Sequence, residues 1–179
     1  MIDIKENYRK SLEKLKSNLD LKSIYELPAI SKVVVAAGIG KIRDRQDSLS
    51  AISQALAAIT GQRPVTTVSR QAIAGFKLQR HEIIGLKVTL RGRRMDDFLN
   101  RLVNVTLPRI REFRGIDERQ LDAQGNLTLG FRDAQPFAEL TEGAGDLPFS
   151  IGVTVNINRS NPKKSLTLLR ELGFPVKLS

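Results

Sequence analysis

The chain has 179 residues, 41% hydrophobic and 27% charged, with 29 Lys and Arg against 19 Asp and Glu and a formal net charge of +10. That balance suits a folded domain and favours polyanionic partners, nucleic acid before an anionic membrane surface. The lack of cysteine excludes disulfides, thiolate metal sites and cysteine nucleophiles, and a single histidine, His81, excludes a His-based metal cluster.

The opening "MIDIKENYRKSLEKLKSNL" mixes acids and bases and reads as neither signal nor transit peptide, so a cytoplasmic location is expected. No run nears the roughly 20 apolar residues that span a bilayer, so no membrane partner is expected. Ile4, Tyr8, Leu12, Leu15 and Leu19 fall at steps of three and four, an amphipathic helix with Asp3 as its N-cap. After Pro28, "SKVVVAAGIG" reads as a short buried strand entering a glycine turn at Gly38 and Gly40. That turn invites comparison with a dinucleotide-binding fingerprint, but Arg43 stands where the third glycine belongs and the next helix starts too late. "DSLSAISQALAAITGQRP" predicts a helix with Leu49, Ile52, Leu56 and Ile59 on one face, Gly61 as its cap and Pro64 beyond it.

Residues 70–95, "RQAIAGFKLQRHEIIGLKVTLRGRRM", open as a basic loop and turn into alternation. Leu86, Val88 and Leu90 point one way and Lys87, Thr89 and Arg91 the other, a half-buried strand whose open face is charged. "MDDFLNRLVNVTLPRI" follows as a helix with acids in its first turn, an apolar face at Phe98, Leu99, Leu102 and Val103, and a limit at Pro108. "DAQGNLTLGFRD" predicts a turn entering a strand, and "ELTEGAGDLP" a loop. "FSIGVTVNINRS" predicts an alternating strand, and "NPKKSLTLLRELGFP" a helix with Asn161 as N-cap, Pro162 in its first turn and Gly173 after its last. The order implies an α+β protein: a largely antiparallel sheet with helices packed on one side, a single compact domain over residues 1–179.

Chemistry concentrates in residues 70–114, where eleven Lys and Arg meet four acids and supply seven of the ten net charges. Such a stretch suits RNA: Arg70, Lys77 and Arg80 for phosphates, Ala72, Ala74 and Gly75 for close backbone approach, and a hydroxyl, Thr89, between the cations Lys87 and Arg91. Phe76 suits either stacking or a core position. No Walker motif and no Ser–His pair occur, and adjacent Asp96 and Asp97 are explained by helix-dipole complementation. The expectation is a binding protein, not an enzyme, with no cofactor and no metal. The alternative is a free-standing basic RNA-binding factor, or an enzyme holding a phosphate ligand at the glycine turn.

The blocks "ITGQRP" (59–64), "AIAGFKL" (72–78), "IGLKVTLRGRRM" (84–95), "LPRIREFRGI" (107–116), "GNLTLG" (125–130) and "LLRELGFP" (168–175) resemble, in order, those of the large ribosomal subunit protein five family, the bacterial-type 5S rRNA-binding ribosomal protein. The resemblance implies a structural constituent of the large subunit in the cytoplasm, monomeric within the ribosome. It implies binding to 5S rRNA and large-subunit rRNA in the central protuberance, with contacts to small-subunit protein thirteen and to P-site tRNA. It implies 5S rRNA contacts at Gln62, Arg63, Phe76, Lys77, Lys87, Thr89 and Arg91, and a tRNA-facing loop carrying Arg70, Gln71, Gln79, Arg80 and His81. It further implies an N-terminal part at about 24–82 and a C-terminal part at about 83–178. The chain departs from the family's pattern at Ala36, where an Asn is usual, and in the loop at Val68, Gln71, Gln79, His81 and Ile83. The "FDGRGNY" block appears as "LDAQGNL" (121–127), and residues 141–148 match poorly.

Overall fold

A computed structural model of the chain describes residues 2–21, 23–39, 46–76, 78–110, 113–140 and 149–177. The loop expected at 139–148 falls almost wholly outside them, as does the glycine turn beyond Ile39. Its elements in chain order are α1 (Ile4–Asn18), β1 (Ala29–Gly38), α2 (Gln46–Thr60), β2 (Val65–Val68), β3 (Ile83–Leu90), α3 (Gly92–Arg101), α4 (Leu107–Arg109), β4 (Leu127–Phe131), β5 (Ser150–Asn158) and α5 (Pro162–Leu172). The class is α+β, with a five-stranded antiparallel sheet in the order β2-β3-β1-β5-β4. By internal contacts the chain forms two compact units. One holds Met1–Val33, Leu90–Leu129 and Thr154–Ser179; the other holds Val34–Thr89 and Gly130–Val153.

In the first unit, α1 begins where Asp3 accepts hydrogen bonds from the N–H groups of Lys5 and Glu6, at 3.0 and 3.3 Å. Long-range partners hold the amides at its entry, for Asn104 Oδ1 accepts from Ile2 N–H (2.8 Å) and Asn100 Oδ1 from Ile4 N–H (2.9 Å). A helix start leaves its first donors without intrahelical acceptors, so these two asparagines fix α1 against the α3 segment. α1 also packs on α5, and Leu15, Phe98, Leu99, Leu168 and Leu169 are buried there. Each such side chain contributes about 1.5–3 kcal/mol on burial.

The α3 segment differs from expectation at its start. The helix begins at Gly92, three residues early, with Arg91 as an extended N-cap. Its first turn therefore holds no acid; Asp96 and Asp97 sit one turn further in. Arg93 meets Asp97 across one turn at 4.0 Å, and burial raises the Asp96 carboxyl above its usual range, against an opposing pull from Lys5 and with repulsion from Asp97 and Asp3. The segment continues through a wide turn at Leu102–Thr106, where Leu107 N–H reaches back to Leu102 O, and ends at Arg109. Pro108 has no N–H to donate and would crowd the preceding turn, so the ladder widens just before it.

The same unit locks a β-turn to a helix start. Asp122 accepts from the N–H groups of Gln124 (2.9 Å) and Asn126 (2.8 Å) and from the Asn126 amide (2.7 Å), which holds its carboxyl below the usual range. Gly125 lies at φ +82°, and buried Ser165 donates to its carbonyl at 2.6 Å. Asn161 caps α5 through Lys164 N–H at 2.9 Å, and Gly173 ends it at φ +91°.

In the second unit, α2 buries Ile52, Ala55, Leu56 and Ile59 and stops at Gly61, φ +67°. The sheet residues Val35, Ala37, Leu86 and Val88 are also buried, and Phe131 and Phe137 pack with ring centroids 5.0 Å apart. α2 covers the Leu86 side, because a groove of about 770 Å³ is lined jointly by its Ser53, Gln54 and Ala57 and by Thr66 and Leu86. The expected glycine turn is revised at its first residue. Gly38 is the last residue of β1, and Ile39 N–H still donates to Ile84 O at 3.2 Å.

Candidate nucleic-acid interface

Strand β3 alternates as expected, with Leu86, Val88 and Leu90 buried and Lys87 and Thr89 exposed. Its neighbour β2, which the sequence reading passed over, is a short β-branched run, "VTTV", directly after Pro64. The two pair antiparallel with Val65 opposite Lys87 and Thr67 opposite Gly85, so these four positions share one face, on which Val65 and Lys87 are exposed, Thr67 half-buried and Gly85 buried. On β1 the exposed alternate residues are Ala36 and Gly38.

Gly85 is glycine for a steric reason. A Cβ there would lie 2.8 Å from Ala37 O and 3.0 Å from Thr67 Oγ1. No side chain therefore fits at Gly85, two residues before Lys87 on the same strand. Lys87 has no ion-pair partner among the described residues.

Gln62 is placed by the end of α2. Thr60 donates to Leu56 O at 2.6 Å and accepts from Gln62 N–H at 3.3 Å. Gln62 Nε2 then donates to Thr89 O at 3.5 Å, which brings Gln62 and Thr89 together across 27 positions of sequence. Arg63, adjacent in sequence, goes elsewhere: it lines the groove beneath α2 with Ser53, Gln54 and Thr66. Arg91 is exposed at the start of α3, and its Nη1 donates to Ser31 O at 3.4 Å within the first unit.

The loop after β2 is a built finger rather than an open coil. At its base Ser69 N–H donates to Glu82 O (2.8 Å) and His81 N–H to Ser69 O (3.0 Å). Further out Ile73 and Leu78 exchange backbone hydrogen bonds at 3.0 and 3.2 Å. The Glu82 carboxylate accepts from Gln79 N–H at 2.8 Å, the Ser69 hydroxyl donates to Gln79 O, and His81 takes a left-handed φ of +68°. Arg70, Gln71, Gln79, Arg80 and His81 are all placed on this finger, and all five are exposed. Phe76 closes its tip turn, Ala74–Phe76; the Phe76 side chain and all of Lys77 lie outside the described residues.

Sequence reasoning missed the polar ladder of β5 and β4. Thr154 and Asn156 alternate with buried Val153, Val155 and Ile157, and the hydroxyls of Thr128 and Thr154 lie 3.5 Å apart. The signal was present in "SIGVTVNIN", whose polar partners to the buried residues are all small or amide-bearing.

Among the described residues no cluster of His, Cys, Asp and Glu could hold a metal ion, and no helix is long and apolar enough to cross a membrane. A basic chain with an ammonium and a hydroxyl exposed on one sheet face and a cation-bearing finger defines a class, the α+β polyanion-binding proteins. Two family profiles match: that of ribosomal protein L5 over residues 23–79, and that of the C-terminus of the same ribosomal protein family over residues 83–176. Large ribosomal subunit protein uL5 of Synechococcus sp. (strain RCC307) is 40% identical over 177 residues, covering 98% of this chain and 99% of the relative. Those of Prochlorococcus marinus (strain MIT 9313) and Corynebacterium urealyticum are 40% and 39% identical, over 98% and 97% of this chain and 99% and 91% of theirs. The chain belongs to the ribosomal protein L5 family, which is structural rather than enzymatic.

Proposed function

We propose that this protein is a structural constituent of the large ribosomal subunit in the cytoplasm, that it binds 5S rRNA through the face of β2 and β3 that carries Lys87, and that it helps anchor that RNA in the central protuberance. The observation that carries the reading is the placement of Gln62, Lys87 and Thr89: an amide tied to the Thr89 carbonyl, beside a hydroxyl and an ammonium without an ion-pair partner among the described residues, both exposed on one face of β3. That is the mixture that meets ribose and phosphate oxygens, with Lys87 supplying charge and Thr89 a directional hydrogen bond. Arg91 serves as a further phosphate partner at the α3 start, Arg63 acts from the α2 groove, and Phe76 and Lys77 complete the set of RNA contacts. The finger at 70–84 carries Arg70, Gln71, Gln79, Arg80 and His81 toward P-site tRNA, and small-subunit protein thirteen is the partner across the subunit interface. In this reading the part at 24–82 supplies Gln62 and the finger, and the part at 83–178 supplies Lys87, Thr89 and Arg91.

The test is a binding titration against 5S rRNA and a same-length unrelated structured RNA over a salt series. Neutralising about six phosphates gives a slope of log affinity on log salt of roughly −4 to −5. A preference for 5S rRNA that survives rising salt supports the reading. Equal binding to both RNAs would reduce the surface to a generic polyanion binder.

A further inference from the structure

Tyr25 is 85% exposed and neighbouring Ile24 52%, the former the most exposed of the large hydrophobic residues described. The backbone beneath the ring is nonetheless fixed. Ser23 Oγ accepts from Tyr25 N–H at 3.3 Å, Leu27 N–H closes the turn onto Ile24 O at 3.2 Å, and Leu27 itself is 1% exposed. From the turn after β5, Arg159 Nη1 donates to the Tyr25 carbonyl. Arg159 holds a left-handed φ of +56°, is exposed, and has no ion-pair partner among the described residues. The Tyr25 hydroxyl likewise has no hydrogen-bond partner among them. Glu26, on the same turn, is exposed and carries an opposing charge next to the ring.

A rigidly mounted, outward aromatic ring beside an unneutralised guanidinium matches one ligand chemistry, a nucleotide whose base stacks on the ring and whose phosphate meets the cation. A protein-docking patch is the poorer fit: one ring and one isoleucine fall short of the several hundred Å² such patches present. We propose that Tyr25 is a stacking platform for an unpaired base of ribosomal RNA, with Arg159 as its positioning residue and phosphate partner. The inference rests on the RNA-binding reading above and extends it to a contact at the turn before β1.

The chain has no tryptophan, so Tyr25→Trp places a single reporter at the site. The variant is titrated with 5S rRNA and with protein-free large-subunit rRNA, while filter binding follows affinity independently. Emission quenched in step with binding to either RNA is expected, with Tyr25→Ala weakening that binding about five- to hundredfold and Tyr25→Phe keeping it. Thermal melts of the variants should coincide, because the ring contacts little of the fold. Unchanged affinity of Tyr25→Ala together with unquenched Trp emission would overturn the inference and leave the RNA-binding reading intact. Emission that responds only to added ribosomal proteins would assign the ring to a protein contact and overturn it as well. Failure of the unsubstituted chain to bind either RNA would remove the RNA-binding reading itself, and this inference with it.

Discussion

Lys87→Ala isolates the electrostatic share of the interface. Lys87 is exposed on β3, opposite Val65, and makes no ion pair among the described residues, so removing its ammonium breaks no ion pair among them. A surface change of that kind alters stability by no more than about 0.5 kcal/mol. Its effect on RNA binding follows from counterion release: one phosphate contact adds roughly 0.7–0.9 to the magnitude of the salt slope. If that contact acts through release alone, its loss weakens binding about five- to eightfold at about 0.1 M salt and only about twofold at about 0.4 M. The assay is the salt-series titration on wild-type and variant side by side, with a denaturant melt as the folding control. The two log–log lines should converge as salt rises. Parallel lines would refute the reasoning, since they would show that Lys87 neutralises no phosphate whatever happens to affinity.

Thr89→Val keeps the shape of the face and removes one hydroxyl, so affinity for 5S rRNA should fall by about 1 kcal/mol, roughly fivefold, with the salt slope unchanged; an unaltered affinity takes Thr89 out of the interface. Gly125→Ala asks an L side chain to hold φ +82° with its Cβ 2.9 Å from Asn161 O and closer still to Ser165 Oγ. Left-handed strain of about 1–2 kcal/mol and overpacking of about 1–3 kcal/mol together predict a loss of about 2–5 kcal/mol in denaturant unfolding. Asp96 has a folded-state carboxyl raised by burial, so its charged form costs stability at neutral pH, and that cost disappears as pH falls below the ordinary carboxylate value. Asp96→Asn should therefore be the more stable protein at pH 7, with its advantage shrinking toward acid; a constant difference across that range would exclude titration of Asp96 as the cause.

Local physics made much of the fold readable. Asp3, Asn161, Gly61 and Gly173 occupy the cap positions that their side chains, or lack of one, suit, and capping depends on only a few neighbouring residues. The alternation in "LKVTL" separated Lys87 and Thr89 from the buried set for the same reason. Where the reading slipped, a distant partner had decided the outcome. β2 is four residues of "VTTV", too short to announce itself, and becomes a strand by pairing with β3. The start of α3 moved forward to Gly92, in φ +56° geometry that a composition rule about first-turn acids does not address.

The candidate site divides in the same way. The sequence by itself determined the class of partner, through the excess of cations at 70–114, and the residues able to reach it, because charge and period are properties of the chain alone. Only the tertiary structure decided that Gln62 turns to the Thr89 carbonyl while its neighbour Arg63 turns to the α2 groove. It alone decided that Gly85 has no room for a side chain and that the ring of Tyr25 stands in the open above a carbonyl held by Arg159. Periodicity states which residues share a face, but whether a face is covered depends on what packs against it, and that packing joins residues tens to more than a hundred positions apart.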